Sequence, residues 1–269
     1  MLEFVVPPET FPDPTGKTSQ GRRVVAVIPA RYQSSRLPGK PLADIAGLPM
    51  IEHVYRRASA ARGIDTVLVA TDDERIARVV EQFGGQVRMT RADHRTGTDR
   101  IAEAVSDLAC DVVVNVQGDL PLLEPAMLTE LVNPLRTDPA VEMSTLCTQA
   151  SPEDYDNPNV VKVVLDRAGN ALYFSRSPIP YFRFGPAEAG VVSGFSRTFK
   201  HIGLYGFRRD FLLRFAALPQ TPLERAESLE QLRALEHGYR IRTVITRHTT
   251  IEVDTPDDLE RVRHEPITR

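Results

Sequence analysis

Three runs of apolar, mostly β-branched residues stand out in the first half of the chain: VVAVIPA (24–30), TVLVAT (66–71) and DVVVNVQ (111–117). Neighbouring positions within each run are apolar alike, which is typical of parallel strands that are covered on both faces. Between the runs, apolar residues recur at the i, i+3, i+4, i+7 spacing of amphipathic helices. These helical sets are Ile51, Val54, Tyr55 and Ala58, then Ile76, Val79, Val80 and Phe83, then Ile101, Ala104, Val105 and Leu108. Strands that alternate with helices predict an α/β fold with a mostly parallel sheet and right-handed connections.

The second half of the chain changes character. Residues 160–176 predict two strands joined by a turn at 167–170, and a loop rich in proline and glycine follows. We therefore expect a small β-rich insertion at about 150–200, where a lid or a subunit contact would lie. Further strands are predicted at 200–207 and 239–246.

Two helices are predicted near the end of the chain. The segment SLEQLRALEHG predicts a helix that ends at Gly238. In DTPDDLERV, Thr255 is a suitable N-cap, Pro256 a suitable first residue, and the two aspartates that follow suit the positive end of the helix dipole.

Length and composition bound the class of protein. The 269 residues, 42% of them hydrophobic, can form one substantial core, and the net charge of −3 gives no general attraction to nucleic acid. Residues 1–23 contain four prolines and no apolar run that would serve as a signal or membrane segment, so they are interpreted as an N-terminal arm. Residues 24–269 are interpreted as a single domain. The well-separated Cys110 and Cys147 are expected to be reduced thiols in a cytoplasmic protein.

The loop after the first strand carries three cations: Arg31, Arg36 and Lys40. Ligands of open parallel sheets bind outside the carboxyl ends of the strands, so this loop is in a favourable place. With Gly39 allowing close approach of the backbone, the cations can surround a polyphosphate, although the spacing is not that of a Walker loop. A solvated basic loop explains the same residues equally well.

The segment VQGDLPLL places Gln117, Gly118 and Asp119 at the end of another strand. A carboxylate beside a basic loop indicates Mg²⁺ with bound phosphates, because Mg²⁺ takes one or two carboxylates plus phosphate oxygens. Asp254 is a candidate for the second carboxylate. The alternatives are a turn aspartate that accepts from backbone amides and, for Asp254, a residue at a helix start.

In RADHRTGTDRIAEAV, Thr96, Gly97 and Thr98 lead into a helix and offer amides and hydroxyls to a nucleobase or phosphate. A capping role explains Thr98 as well. His94 is expected on the surface, away from the chemistry.

Assembled, these residues resemble the 3-deoxy-manno-octulosonate (KDO) cytidylyltransferase family, also called the CMP-KDO synthetases. The similarity runs from about Val24 to about Arg263 and rests on nine segments in the family's order. They are IPARYQSSRLPGKPLADIAGLPMIEHV, VATDDERIA, MTRADHRTGTDRIAE, VNVQGD, NPNVVKVVLD, ALYFSRSPIP, HIGLYGFRRDFL, PLERAESLEQLRAL and VDTPDDLERV. The resemblance implies a Rossmann-like nucleotidyltransferase fold. It also implies that CMP passes from CTP to an acidic acceptor, KDO, with release of pyrophosphate.

The resemblance also implies roles for single residues. Arg31, Lys40 and Asp119 match catalytic positions, and Asp119 and Asp254 match the ligands of Mg²⁺. Positions implied to bind substrate are Ser34, Arg36, Thr71, Thr96, Gly97, Thr98, Gln117, His201, Tyr205, Glu224 and Gln231. The last four match the side that receives the sugar acid. A homodimer is implied as well.

Two positions depart from the family pattern. Leu120 stands where the family usually has glutamate, and Glu252 stands where it usually has a small glycine. Both departures are near the expected metal and acceptor region, which leaves two alternatives open. One is the same CTP chemistry on a small phosphonate such as phosphonoformate. It is favoured by the arginine bias, 29 of the 33 basic residues, because such a bias is typical of a GC-rich source, which need not make lipopolysaccharide. The other is a nucleotide-binding protein without catalytic activity.

Overall fold

The computed structural model describes residues 22–33, 37–183 and 198–265. Most of the expected N-terminal arm, and the predicted substrate-binding residues Ser34 and Arg36, lie outside the described residues. The strands are β1 (Val24–Ala30), β2 (Asp44–Ile45), β3 (Leu48–Pro49), β4 (Thr66–Thr71), β5 (Gln86–Met89), β6 (Val112–Asn115), β7 (Met143–Gln149), β8 (Lys162–Leu165), β9 (Ala171–Ser175), β10 (Phe199–Arg208) and β11 (Arg242–Ile245). The α-helices are α1 (Met50–Ser59), α2 (Glu74–Gln82), α3 (Gly97–Ala104), α4 (Pro125–Thr137), α5 (Pro152–Asp156), α6 (Arg209–Ala217), α7 (Pro222–Glu227), α8 (Gln231–Glu236) and α9 (Pro256–Arg263).

The main sheet has the strand order β11-β7-β10-β6-β1-β4-β5. Strands β6, β1, β4 and β5 are parallel to one another, and β11 is parallel to β7, whereas β10 runs antiparallel between β7 and β6. This is the mostly parallel α/β sheet that the sequence predicts, with one antiparallel strand inserted. No described helix is long and apolar enough to cross a membrane.

Alternation along β1 shows why the sheet has a core on both faces. Val24, Ala26 and Ile28 belong to one buried cluster, and Val25 and Val27 belong to another. Successive side chains of a strand point to opposite faces, so a strand that is apolar throughout supplies both layers. Helices α1 and α4 cover the first face, and α3 and α6 cover the second.

The predicted hairpin at 160–176 forms as β8 and β9, and Gly169 in its turn has a φ of +80°. The hairpin extends the main sheet, because β8 pairs with the start of β10 at Phe199 and Lys200. The described part of the expected insertion is therefore continuous with the sheet.

Candidate functional site

A cleft of about 250 Å³ opens at the carboxyl ends of β1 and β6. Its lining includes residues of the loop after β1, the segment after β6 and the start of α3: Pro29, Ala30, Arg31, Gln33, Lys40, Pro41, Gly97, Gln117, Gly118 and Asp119. Because β1 and β6 are adjacent and parallel, the segments that follow them meet at the same edge of the sheet. Five of the predicted site residues therefore share one cleft.

Lys40 is held at the centre of this cleft. Gly39 adopts a left-handed conformation with φ 72° and starts a short 3₁₀ turn that directs Lys40 inward. The Lys40 ammonium donates to Asp119 Oδ2 at 2.7 Å, to the Val253 carbonyl at 2.9 Å and to Asp254 Oδ1 at 3.3 Å. Burial by itself lowers the pKa of Lys40, but the charges and hydrogen bonds of the two aspartates raise it above the ordinary value. Lys40 is a cation at any physiological pH.

Three carboxylates converge beside Lys40. Asp119, Glu252 and Asp254 each place one oxygen within 4.8 Å of the others, and Asp119 Oδ1 is shielded from solvent without a hydrogen-bond partner in the described part of the chain. The Val253 amide donates to the Asp119 carbonyl at 2.9 Å, which ties the segment before α9 to the segment after β6. Thr255, as predicted, caps α9, so Asp254 itself is not the cap.

Arg31 lines the same cleft from the loop after β1. Its guanidinium donates to the carbonyl of His94 and, at 3.4 Å, to the carbonyl of Thr96. The His94 ring is only 6% exposed and is hydrogen-bonded to Glu103, so the prediction that His94 lies on the surface is wrong. His94 has mostly polar neighbours in the sequence, which indicates exposure. Its side chain nevertheless turns inward toward α3.

The turn 96–98 starts α3 against the end of β1. Thr96 is the N-cap and forms a capping box with Asp99, so the capping role considered for Thr98 belongs to Thr96. Gly97 contacts Pro29 closely enough that an added Cβ would lie 3.2 Å from its ring. Thr98 is buried, and its hydroxyl donates to the carboxylate of Glu230.

Thr71 ends β4, the strand beside β1, and is fully buried. Its hydroxyl accepts from the Asp73 amide at 3.2 Å. The structure therefore places Thr71 at the same edge of the sheet as the cleft, in a position where its side chain also organises the start of α2.

Gln117, which lines the cleft, is linked through Asn115 to Tyr205 and His201 on β10. Gln117 Nε2 donates to Asn115 Oδ1 at 3.2 Å, and Asn115 is paired with Tyr205 across β6 and β10. The rings of Tyr205 and His201 are 5.5 Å apart. Burial lowers the pKa of His201 to about 3 and raises the pKa of Tyr205, so both side chains are uncharged at neutral pH.

Glu224 and Gln231 lie on α7 and at the start of α8. Glu224 is buried and forms two hydrogen bonds with the guanidinium of Arg233, at 2.8 and 2.5 Å. Burial by itself raises the pKa of Glu224, but Arg233 brings it below the ordinary value. Gln231 is buried, and its Nε2 has no hydrogen-bond partner among the described residues. Glu224 therefore joins α7 to α8, whereas Gln231 retains an unused donor.

Comparison with known proteins decides the family. The cytidylyltransferase family model matches residues 25–241. The 3-deoxy-manno-octulosonate cytidylyltransferase of Geobacter sulfurreducens is 56% identical over 243 residues, 89% of this chain and 97% of the relative. The corresponding protein of Syntrophotalea carbinolica is 58% identical over 89% of this chain and 96% of its own length. This chain belongs to the 3-deoxy-manno-octulosonate cytidylyltransferase family.

Solved structures agree with the family assignment. CMP:2-keto-3-deoxy-manno-octonic acid synthetase complexed with CTP superposes with a TM-score of 0.84 at 48% identity, covering 90% of this chain and 97% of that one. A 4-diphosphocytidyl-2C-methyl-D-erythritol synthase from Anaerococcus prevotii shares the fold alone, at 13% identity and a TM-score of 0.59. The Rossmann-like nucleotidyltransferase fold implied by the resemblance is confirmed.

For a family member, the departure at Leu120 has a packing explanation. Its side chain is 4% exposed and belongs to the core cluster between the sheet and α4, so it does not face the carboxylates. Glu252 does face them. An apolar residue at position 120 therefore leaves the carboxylate cluster complete. These findings favour neither the small-phosphonate acceptor nor the catalytically silent protein.

Two acidic residues near the site were missed as site residues from the sequence. In the sequence, Glu252 stands out only as a departure from the family pattern, although the IEVD spacing puts it on the same side of an extended segment as Asp254. Glu230 lies inside an apolar helical pattern and is brought to Thr98 across 132 positions. Periodicity gives no signal for a contact at that distance.

Proposed function

We propose that this chain transfers CMP from CTP to KDO and releases pyrophosphate. The observation that carries the proposal is the cleft at the ends of β1 and β6. There, in a member of this family, Arg31 and Lys40 face Gln117 and Asp119. Two cations that line one small polar cleft favour a triphosphate-binding site over a solvated basic loop.

In the proposed reaction, the hydroxyl oxygen of the acceptor attacks the α-phosphorus of CTP. A new P–O bond forms, the bond from the α-phosphorus to the bridging oxygen breaks, and pyrophosphate leaves with the electron pair, while the hydroxyl proton passes to solvent. Phosphoryl transfer leaves little covalent work for the protein, so positioning and charge stabilisation provide most of the rate. Lys40 and Arg31 supply positive charge where the leaving pyrophosphate develops negative charge.

Mg²⁺ is part of the proposal, and the residues present fit it. Asp119 and Asp254 would hold the ion, and Glu252 adds a third carboxylate within reach of the same point. Asp119 Oδ1 is shielded from water and lacks a hydrogen-bond partner among the described residues, so a bound cation would satisfy this buried acceptor. When bound, the ion neutralises phosphate charge and lowers the pKa of a coordinated hydroxyl.

The acceptor side is proposed to include Gln117, His201, Tyr205, Glu224 and Gln231. His201 and Tyr205 are neutral, so they offer hydrogen bonds and ring surface to a sugar acid but no charge. Glu224 is already paired with Arg233, and we assign it the role of holding α7 in place beside the acceptor.

The test is pyrophosphate release from CTP and Mg²⁺ with KDO, an amino analogue of KDO, a sialic acid and several small phosphonates, with mass spectrometry of the product. We expect rapid release with KDO and a product whose mass equals KDO plus CMP minus water. Turnover with a phosphonate alone, or with none of the acids, would overturn the proposal.

A homodimer and a cytoplasmic location complete the proposal. Free thiols at Cys110 and Cys147 suit a reducing compartment. Size-exclusion chromatography with light scattering gives the molar mass and so tests the dimer. The mass of a single chain at micromolar concentration contradicts it. Fractionation of the source cells tests the location.

A further inference from the structure

Glu230 connects the turn 96–98 to the helices on the proposed acceptor side, α7 and α8. Its carboxylate accepts from the Thr98 hydroxyl, and Thr98 is the second residue of α3. Its backbone immediately precedes α8, which begins with Gln231. One side chain therefore spans the turn 96–98 and the segment that carries a proposed acceptor residue.

The Glu230 carboxylate is restrained from both sides. Arg233 Nη2 lies 3.5 Å from Glu230 Oε1, and the same guanidinium is fixed by its two hydrogen bonds to Glu224. Glu230 Oε1 is shielded from solvent, and it lacks a hydrogen-bond partner within the described chain. A carboxylate in these surroundings loses the Thr98 hydrogen bond and the nearby Arg233 charge if its side chain rotates away.

Glu230 also acts electrostatically on the acceptor side. Burial is the main cause of the raised pKa of Tyr205, and the negative charge of Glu230 adds to it, followed by that of Glu252. Burial likewise raises the pKa of Glu230, against the hydrogen bond of Thr98 and the charge of Arg233. The charge of the Glu230 carboxylate thus acts both on the turn 96–98 and on Tyr205.

We propose that Glu230 is a positioning residue that holds Thr98, and with it the turn 96–98, in the orientation that binds the nucleotide. This inference deepens the proposed function and rests on its proposal that CTP binds in the cleft, which Gly97 of the turn lines. A turn at a helix start is held in one orientation more firmly when another segment of the chain binds its side chains. Arg31 contacts the Thr96 carbonyl from the loop after β1, whereas Glu230 accepts hydrogen bonds from the side chains of the turn, from Thr98 and also from Thr96.

The first experiment needs no ligand. Amide hydrogen exchange of residues 96–99 is compared in the wild type, Glu230→Ala, Glu230→Gln and Glu236→Ala. Glu236 accepts from the amides of Leu223 and Glu224, so its loss loosens α7 without touching Thr98. We expect at least about fivefold faster exchange in Glu230→Ala only, because a Gln oxygen still accepts from Thr98. Equal exchange in Glu230→Ala and the wild type would overturn the proposal, as would equal acceleration by Glu236→Ala.

The second experiment measures the affinity for the α,β-methylene analogue of CTP by calorimetry with Mg²⁺. We expect Glu230→Ala to weaken binding at least about fivefold, Glu230→Gln to stay within about threefold, and Glu230→Ala to weaken binding less in a Thr98→Val background than in the wild type. A loss of affinity below about fivefold in Glu230→Ala, or an undiminished loss in the Thr98→Val background, contradicts the role of Glu230. Failure of the proposed function is separate, because it appears in the wild type as absent pyrophosphate release with KDO.

Discussion

Lys40 Nζ and Asp119 Oδ2 lie 2.7 Å apart, although 79 positions separate the two residues along the chain. They meet because Lys40 follows β1 and Asp119 follows β6, and these strands are adjacent and parallel. Both side chains are 16% exposed, so water screens the pair only in part. The cation is therefore already oriented toward the carboxylates before any phosphate enters the cleft.

Lys40→Ala tests whether this ammonium stabilises the departing pyrophosphate. We expect kcat to fall by about two to three powers of ten, because a preorganised charge in a partly dry site is difficult to replace with water. Steady-state pyrophosphate release with CTP and KDO measures it. Arg78→Ala, which removes an exposed cation on α2, is the control. A loss smaller than about threefold returns the loop to the solvated alternative.

Asp119→Asn and Asp254→Asn test the metal assignment without reference to turnover. Each change keeps the side-chain volume and removes one negative charge from the cluster, so we expect affinity for Mn²⁺, used as a spectroscopic substitute for Mg²⁺, to fall at least about tenfold. Electron paramagnetic resonance counts the free ion. Asp257→Asn, at an exposed position in the first turn of α9, should bind Mn²⁺ like the wild type. Unchanged affinity in both cluster variants would show that the ion is held elsewhere.

Gly118→Ala tests how tightly the segment after β6 packs against β1. An added Cβ would lie 3.2 Å from the Pro29 carbonyl oxygen, which is backbone and cannot rotate aside. We expect a loss of about 1–3 kcal/mol in the free energy of unfolding and a lower kcat, since Gln117 and Asp119 must shift with the backbone. Denaturant titration and the pyrophosphate assay give the two numbers.

The control for this prediction is Gly203→Ala, where an added Cβ meets nothing within 4 Å. The control should retain stability and turnover. If Gly118→Ala behaves like Gly203→Ala, the close contact with Pro29 does not constrain the site.

Much of the fold could be predicted because hydrophobic periodicity is local. The runs at 24–30 and 66–71 form β1 and β4 at those bounds, and the helix at the end of the chain is capped by Thr255 as expected. The position of β10 could not be predicted in this way. Its pattern indicates a strand, but the pattern does not say that it enters antiparallel between β6 and β7.

The site residues, too, could be predicted only where local sequence rules apply. Arg31, Lys40 and Asp119 follow predicted strands directly, so the rule for ligand sites in parallel sheets brings them together. Glu230 and Glu252 reach the site through tertiary contacts of segments far along the chain. Nothing in the local spacing marks Glu230. The IEVD spacing relates Glu252 to Asp254 but does not show that either carboxylate reaches Asp119.

His201 gives a prediction for the pH dependence of stability. Its ring bonds Thr145 Oγ1 at 2.9 Å and packs edge-on against Phe174, and burial lowers its pKa to about 3. The unfolded chain takes up a proton near pH 6.5, whereas the folded chain does not. The unfolded state therefore binds more protons between about pH 6.5 and pH 3, and stability falls as the pH falls through that range.

His201→Gln removes this titration while keeping an amide that can bond Thr145. We expect the wild type to lose about 1–2 kcal/mol more than His201→Gln in the free energy of unfolding between pH 7 and pH 5. The measurement is a pair of urea titrations at the two pH values. His237→Gln, at an exposed position after α8, should follow the wild type. Parallel losses in the wild type and His201→Gln would mean that His201 takes up its proton at the same pH in the folded and the unfolded chain, so that burial does not keep the ring neutral.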